Sequence, residues 1–248
     1  MVFDQNSLHL KRRDIKLIVE NGENFIKKSS DHSLENEFRI MKQFNHHLIG
    51  KVIRLINEKS FIIEFYPGGN IKSDHPMEIE QVKIYFIQMA RAVEVIHSRN
   101  CAHLDIRLNN FVLDQYGNIK LIDFEHADNE NGDRVFGAFG STKYNSPERY
   151  TGCYSGFKAD IFSLGVLLFR LLIGEYPFAS VRQSNGRFKL YSEDRERYWS
   201  RLNVHLNKTH GNFSIDEDAK DLIDKMLEIN PEDRLSADQI LKHKFCEF

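Results

Sequence analysis

Between Cys101 and Asp123 the chain gathers residues that carry chemistry at fixed spacing. A carboxylate (Asp105), an arginine (Arg107) and an amide (Asn110) share one short stretch. The alternating runs Asn110–Leu113 and Ile119–Ile122, joined by a turn at Asp114–Gly117, predict a hairpin that delivers a second carboxylate, Asp123. Asp and Asn are frequent in turns, so no single position decides anything. The set does: phosphoryl transfer needs one Asp to orient an attacking hydroxyl and a cation to meet the phosphoryl group. It also needs an Asn and a second Asp to hold Mg²⁺.

This stretch resembles the catalytic and magnesium loops of eukaryotic-type protein kinases, H-R-D-L-x-x-x-N followed by D-F-G. The resemblance implies an α+β, bilobal fold with a β-rich small lobe carrying one long helix and a larger, mainly helical lobe. Position by position, it makes Asp105 the catalytic base, Arg107 the γ-phosphate cation, and Asn110 and Asp123 the metal ligands. ATP and Mg²⁺ are the implied cofactors. Three positions depart from the pattern: Leu104 replaces an Arg, Arg107 stands where Ser/Thr kinases usually carry Lys, and Glu125 replaces the Gly after Asp-Phe.

At 248 residues the chain suits one such domain, with a small lobe at 1–66 and a large lobe at 67–248. A formal charge of −2 gives no reason to expect nucleic acid as a partner. Three widely spaced cysteines (Cys101, Cys153, Cys246) fit a reducing, cytoplasmic setting, and the histidines show no zinc spacing. Met1–Leu10 lacks the cationic start and apolar run of a secretory signal. The apolar run Ile161–Ile173, interrupted by Ser163, Gly165 and Arg170, fits a buried helix rather than a membrane span. A monomer that meets protein substrates, with room for a regulatory partner, is the expectation.

Ile15–Val19 alternates, Glu20–Glu23 turns and Asn24–Lys28 returns, which predicts a hairpin; a helix follows from about Ser33, its expected N-cap. By the kinase resemblance the returning strand carries the Lys that grips the α- and β-phosphates, and the helix carries its Glu partner. These are assigned to Lys27 and Glu37. Lys28 is the rival, because strand parity decides which ammonium faces the cleft. Ile49–Ile56 and Ser60–Phe65 read as two more strands. Glu64-Phe65-Tyr66-Pro67-Gly68-Gly69-Asn70 resembles the hinge where adenine binds, with Glu64 and Tyr66 beside the base and Asn70 at the ribose.

Phe3–Arg13 contains no glycine, although a kinase places G-x-G-x-x-G before this hairpin. Losing two or three amide contacts, at ~1.5–3 kcal/mol each, weakens nucleotide binding by roughly two to four powers of ten. Lys11-Arg12-Arg13 offers cations that take over part of that work, or a plainly solvated surface. The missing glycines, Phe25-Ile26-Lys27-Lys28 and His103-Leu104-Asp105 together resemble the FIKK kinases of apicomplexan parasites.

In the large lobe, Glu78–Ser98 carries a helical apolar stripe. Asp123–Gly140 contains no Ser, Thr or Tyr, and Leu104 has removed the Arg that receives an activating phosphate, so phosphorylation of that segment is not required. Gly140-Ser141-Thr-Lys-Tyr144-Asn-Ser-Pro147-Glu148 resembles the substrate-docking end of Ser/Thr kinases. The resemblance implies that Ser141 bonds Asp105 and Arg107, that Glu148 pairs with Arg234, and that Asp160 holds the catalytic loop. Ala179–Arg197 reads as a variable loop, followed by helices near Arg195–Leu206, Asp218–Ile229 and from Ser236. Trp199 suits the core or a partner surface. An active Ser/Thr kinase is the leading reading. The alternatives are a pseudokinase scaffold, suggested by the missing glycines, Glu125 and a bulky Phe25 over the adenine site, and a small-molecule phosphotransferase.

Overall fold

The computed structural model describes residues 13–73, 75–138, 140–182, 184, 186–211 and 214–247. The glycine-free segment with Lys11 and Arg12 lies outside them. The expected hairpin is β1 (Arg13–Glu20) and β2 (Glu23–Ser30). Its two-residue turn, Asn21-Gly22, has φ of 51° and 82°, the left-handed pair that matches the twist of antiparallel strands and that Asn-Gly adopts at little cost. Helix α1 (Glu35–Lys42), β3 (Val52–Asn57) and β4 (Ser60–Glu64) complete the small lobe, whose antiparallel sheet runs β1-β2-β4-β3.

Two boundaries differ from the sequence expectation. Helix α1 begins at Glu35, with Leu34 as its N-cap residue and no side-chain cap. Ser33 Oγ only accepts from Glu35 N at 3.4 Å. Leu34 is buried, so packing rather than capping sets the start. Strand β3 starts at Val52, because Ile49 bridges to Leu121 in the large lobe instead.

The large lobe opens with β5 (Gly69–Asn70) and α2 (Ile79–His97), whose buried stripe of Val82, Phe86, Met89, Val93 and Ile96 follows the helical period. The hairpin below the catalytic loop is β6 (Phe111–Leu113) and β7 (Ile119–Leu121), flanked by β5. A two-stranded ribbon joins β8 (Val135–Phe136) to β9 (Cys153–Tyr154), and α3 (Gly156–Ile173) follows, buried almost throughout. The segment expected as an irregular loop contains α4 (Gly186–Glu193). Its Phe188 and Tyr191, one turn apart, pack on Phe178 at 5.2 and 5.3 Å between ring centroids. Burial of about 2 kcal/mol per ring outweighs the segment's polar composition. Helices α5 (Arg195–His210), α6 (Glu217–Met226) and α7 (Ala237–Leu241) close the lobe, the last opened by the expected Ser236/Gln239 capping box.

Candidate active site

Strand parity assigns the buried lysine. Lys28 is cross-strand from Ile15 and Phe61 and buried, while Lys27 is paired with Lys16 and Ile62 on the opposite face. Lys28 Nζ donates to Glu37 Oε1 and Oε2 at 2.6 and 2.8 Å and to Asp123 Oδ1 at 2.7 Å. The assignment of Lys27 is therefore corrected to Lys28, which meets the expected partner carboxylate, Glu37. Burial pulls the Lys28 ammonium down, but the carboxylates of Glu37 and Asp123 outweigh it and hold it above the usual lysine value. The same parity moves the roof of the cleft. Ile26, paired with Leu17 and Ile63, shares the face of Lys28, whereas Phe25 lies on the other face and does not fill an adenine site.

Asn110 organises the catalytic loop: its amide nitrogen donates to Asp105 O at 2.8 Å and to Asp105 Oδ2 at 2.9 Å. Ile122 N donates to Asn110 O at 2.9 Å, which sets Asp123, one residue on, beside the same loop. Leu104 (φ 64°) and Asp123 (φ 66°) adopt left-handed backbone, at a cost of about 1–2 kcal/mol each, on either side of these carboxylates. Strain of this size persists only where neighbours enforce it. Asp160 does so from α3, accepting from His103 N at 2.7 Å, Leu104 N at 2.8 Å and His97 Nε2 at 3.0 Å. Burial raises the Asp160 carboxyl, yet the His97 hydrogen bond and the charges of His97, His103 and Arg149 prevail and lower it. Phe124 is buried against His103 (4.8 Å) and Phe44 (5.8 Å), which fixes the chain between Asp123 and Glu125.

Glu125 removes no backbone freedom that the loop uses, because the left-handed residue is Asp123. Its carboxylate lies 3.4 Å from His32 Nε2. Oxygens of Glu37, Asp123 and Glu125 fall within 4.8 Å of one another, making an acidic wall around the Lys28 ammonium. Arg107 is half-buried beside Asp105 in sequence and forms no ion pair among the described residues. Ser141 departs from expectation: among the described residues no hydrogen bond joins its hydroxyl to Asp105 or Arg107. Gly140 takes the position against the carboxylate instead. A Cβ there would sit 2.5 Å from Asp105 Oδ1, and φ is +73°, so only glycine fits.

The hinge residues are tied back to the protein. Tyr66 Oη accepts from Lys51 N at 2.8 Å and donates to Glu64 Oε2 at 3.3 Å, while Tyr66 O accepts from Gly69 N at 3.2 Å. Asn70 Nδ2 donates to Asn109 O at 3.3 Å, linking the hinge to the catalytic loop. The expected Glu148–Arg234 pair is bidentate, at 2.6 and 3.2 Å, and Arg234 also donates to Glu228 O and Lys158 O. Trp199 is buried with Nε1 on Asp224, which assigns it to the core.

The sequence did not show how the segment from Asp123 to Gly140 is held. Asp128 N and O pair with Ala102, Gly156 N donates to Gly132 O at 2.8 Å, β8 pairs with β9, and Tyr154 Oη donates to Gly137 O at 2.7 Å. Leu104 packs with Ala102, Val135, Tyr154 and Ala159 in a separate apolar cluster. An aliphatic side chain thus fills the place where a phosphate-binding Arg was expected to be missing.

Residues 14–246 match the protein kinase domain family, and the chain belongs to it. Among its relatives are a putative serine/threonine-protein kinase of Saccharomyces cerevisiae, 31% identical over 88% of this chain and 24% of the relative. CBL-interacting serine/threonine-protein kinase 15 of Arabidopsis thaliana is 31% identical over 94% of this chain and 55% of the relative. Serine/threonine-protein kinase kin-29 of Caenorhabditis elegans is 30% identical over 94% and 27%. The similarity covers a eukaryotic-type serine/threonine kinase catalytic domain, and the chain spans from about a quarter to about half of these relatives' lengths. No helix among the described residues is long and apolar enough to cross a membrane.

Proposed function

We propose that this domain transfers the γ-phosphoryl group of ATP to Ser or Thr hydroxyls of protein substrates, with Asp105 as base and Asn110 and Asp123 as the magnesium ligands. One observation carries the reading: the Lys28 ammonium joins Glu37 of the small lobe to Asp123 of the large lobe. That pair is the condition for phosphate grip in this family. The donor set suits a hard cation. Asn110 spends its amide hydrogens on Asp105, its amide oxygen takes no hydrogen bond among the described residues, and Asp123 adds a carboxylate.

Bound magnesium nucleotide supplies the transferable phosphoryl group and offsets its charge. Asp105, its Oδ2 pinned by Asn110, orients the acceptor hydroxyl and takes its proton. Arg107 faces the transferring group, and Lys28 holds the phosphates against Asp123. Glu64 and Tyr66 border the base, and Asn70 stands at the ribose. Ser141, one residue past Gly140, is proposed to line the acceptor position. Three free cysteines support a reducing, cytoplasmic location for a monomeric domain whose partners are protein substrates and a regulator.

The absence of glycine from Phe3–Arg13 favours a second reading, a pseudokinase that binds partners without turnover. Assays on matched Ser, Thr and Tyr peptides separate the two. Transfer to Ser and Thr that stops when Mg²⁺ is chelated supports the enzyme; nucleotide binding with no transfer to any peptide supports the scaffold.

A further inference from the structure

A cavity of about 590 Å³ opens at the end of the Gly140–Glu148 segment, with Tyr176, Phe178 and Ala179 as its apolar lining and Lys143, Arg187 and Glu175 around it. Tyr144, next to Lys143, ties this segment to the catalytic loop. Tyr144 is buried, its hydroxyl is bonded to the backbone at Leu108, and it lies in the field of Arg170, Arg107 and Asp105 together. Its ring meets Tyr176 edge-on at 5.4 Å. On Tyr176 rest two cations, Lys143 with Nζ 4.5 Å and Arg170 with Cζ 4.4 Å from the ring centroid. Lys143 lies three positions after Gly140, which abuts Asp105 Oδ1, so their backbones are at most ~10 Å apart, the span of about three residues of an extended substrate.

The charges at the cavity do not balance. Glu175 is already engaged, bonded by Arg187 at 3.2 Å and by His205 Nε2 at 2.8 Å. Lys143 is exposed and forms no ion pair among the described residues; its contact with the Tyr176 face leaves ammonium hydrogens for another acceptor. Arg107 forms none either. From Asp105 outward the floor therefore carries a positive surplus on an aromatic base.

Building on the kinase reading above, we propose that Lys143 is a specificity-determining residue that selects substrates with an acidic side chain, Asp, Glu or a phosphorylated residue, within about three positions of the acceptor.

The test uses peptides carrying Glu, Ala or Lys at each of the three positions on either side of a Ser acceptor. Turnover is measured with the Ser peptides, and binding with versions in which Ala replaces the acceptor. Wild type should prefer Glu to Lys by about threefold to tenfold at one or more of these positions, in affinity and in kcat/KM. Lys143→Glu should reverse the order, Lys143→Ala should flatten it, and added salt should shrink it. The proposal is overturned if no position discriminates, or if the order survives Lys143→Glu. A charge order in binding without turnover supports this surface and counts against the kinase reading; turnover without charge order does the opposite.

Discussion

Lys28 and Lys27 are adjacent, chemically identical, and separated in role only by the side of the sheet they face. If the ion pairs of Lys28 anchor the phosphates, Lys28→Met should lower kcat/KM by roughly 10²–10³-fold, while Lys27→Met should change it by less than about threefold. Steady-state kinetics on both variants decide the point. The kinase resemblance pointed to one of the two lysines as the partner of Glu37 and the sequence could not say which, because a one-residue slip in pairing exchanges the faces of a strand. That Asp105, Asn110 and Asp123 would come together was legible from one loop and the hairpin after it, and the lysine's pairing with Glu37 from the kinase resemblance. The Ser141 contact was not, since it depended on where Gly140 would fall. Asp160 carries a pH prediction. Its pKa is lowered by folding, so it contributes stability above the unfolded carboxylate value of about 4 that is lost as pH falls below it. Denaturant titrations should show Asp160→Asn less stable by about 3 kcal/mol at neutral pH, with the gap narrowing as acid is added.

Among elements, the segment from Asp123 to Gly140 is the most informative. It has no hydroxyl to phosphorylate, yet backbone pairing with Ala102, Gly156 and β9, together with the Leu104–Val135 contact, holds it in place. The loss of a phosphate receiver at position 104 is thus matched by a gain of apolar packing. Val135→Asp puts an unpaired carboxylate into that cluster, at a cost of about 3 kcal/mol. Proteolysis between residues 124 and 140 should accelerate and kcat should fall at least about tenfold. Phosphatase treatment of the wild type should leave activity unchanged; a requirement for phosphate on Ser141 or Thr142 would refute this account of the segment. Helix α4 marks the limit of legibility at this scale. Its polar sequence reads as loop, and only the distant Phe178 reveals why Phe188 and Tyr191 must share a face.

Across the whole molecule, two lobes with different architectures share backbone bonds of Leu121 with Leu48 and Gly50 and one buried core, and Lys28–Asp123 is the tie between them at the candidate site. The large lobe is braced from beneath by Arg234, whose five donor contacts reach Glu148, Glu228 and Lys158. Arg234→Met and Glu148→Gln should each destabilise the domain by about 3–5 kcal/mol, and the double variant by little more than either alone. Chemical denaturation measures that cycle. The bilobal α+β plan was legible through the kinase resemblance, with which the order of hairpins and apolar helices agrees. How the lobes would be joined was not, because ion pairs between distant segments leave no periodic trace. The central claim is that these lobes bring a base and a metal-binding pair onto one nucleotide. Magnesium-dependent phosphorylation of a generic Ser/Thr substrate, measured for wild type beside Asp105→Asn, tests it most directly. The account predicts turnover in the wild type that falls by about three powers of ten or more in the variant. Equal and negligible turnover from both proteins would contradict it.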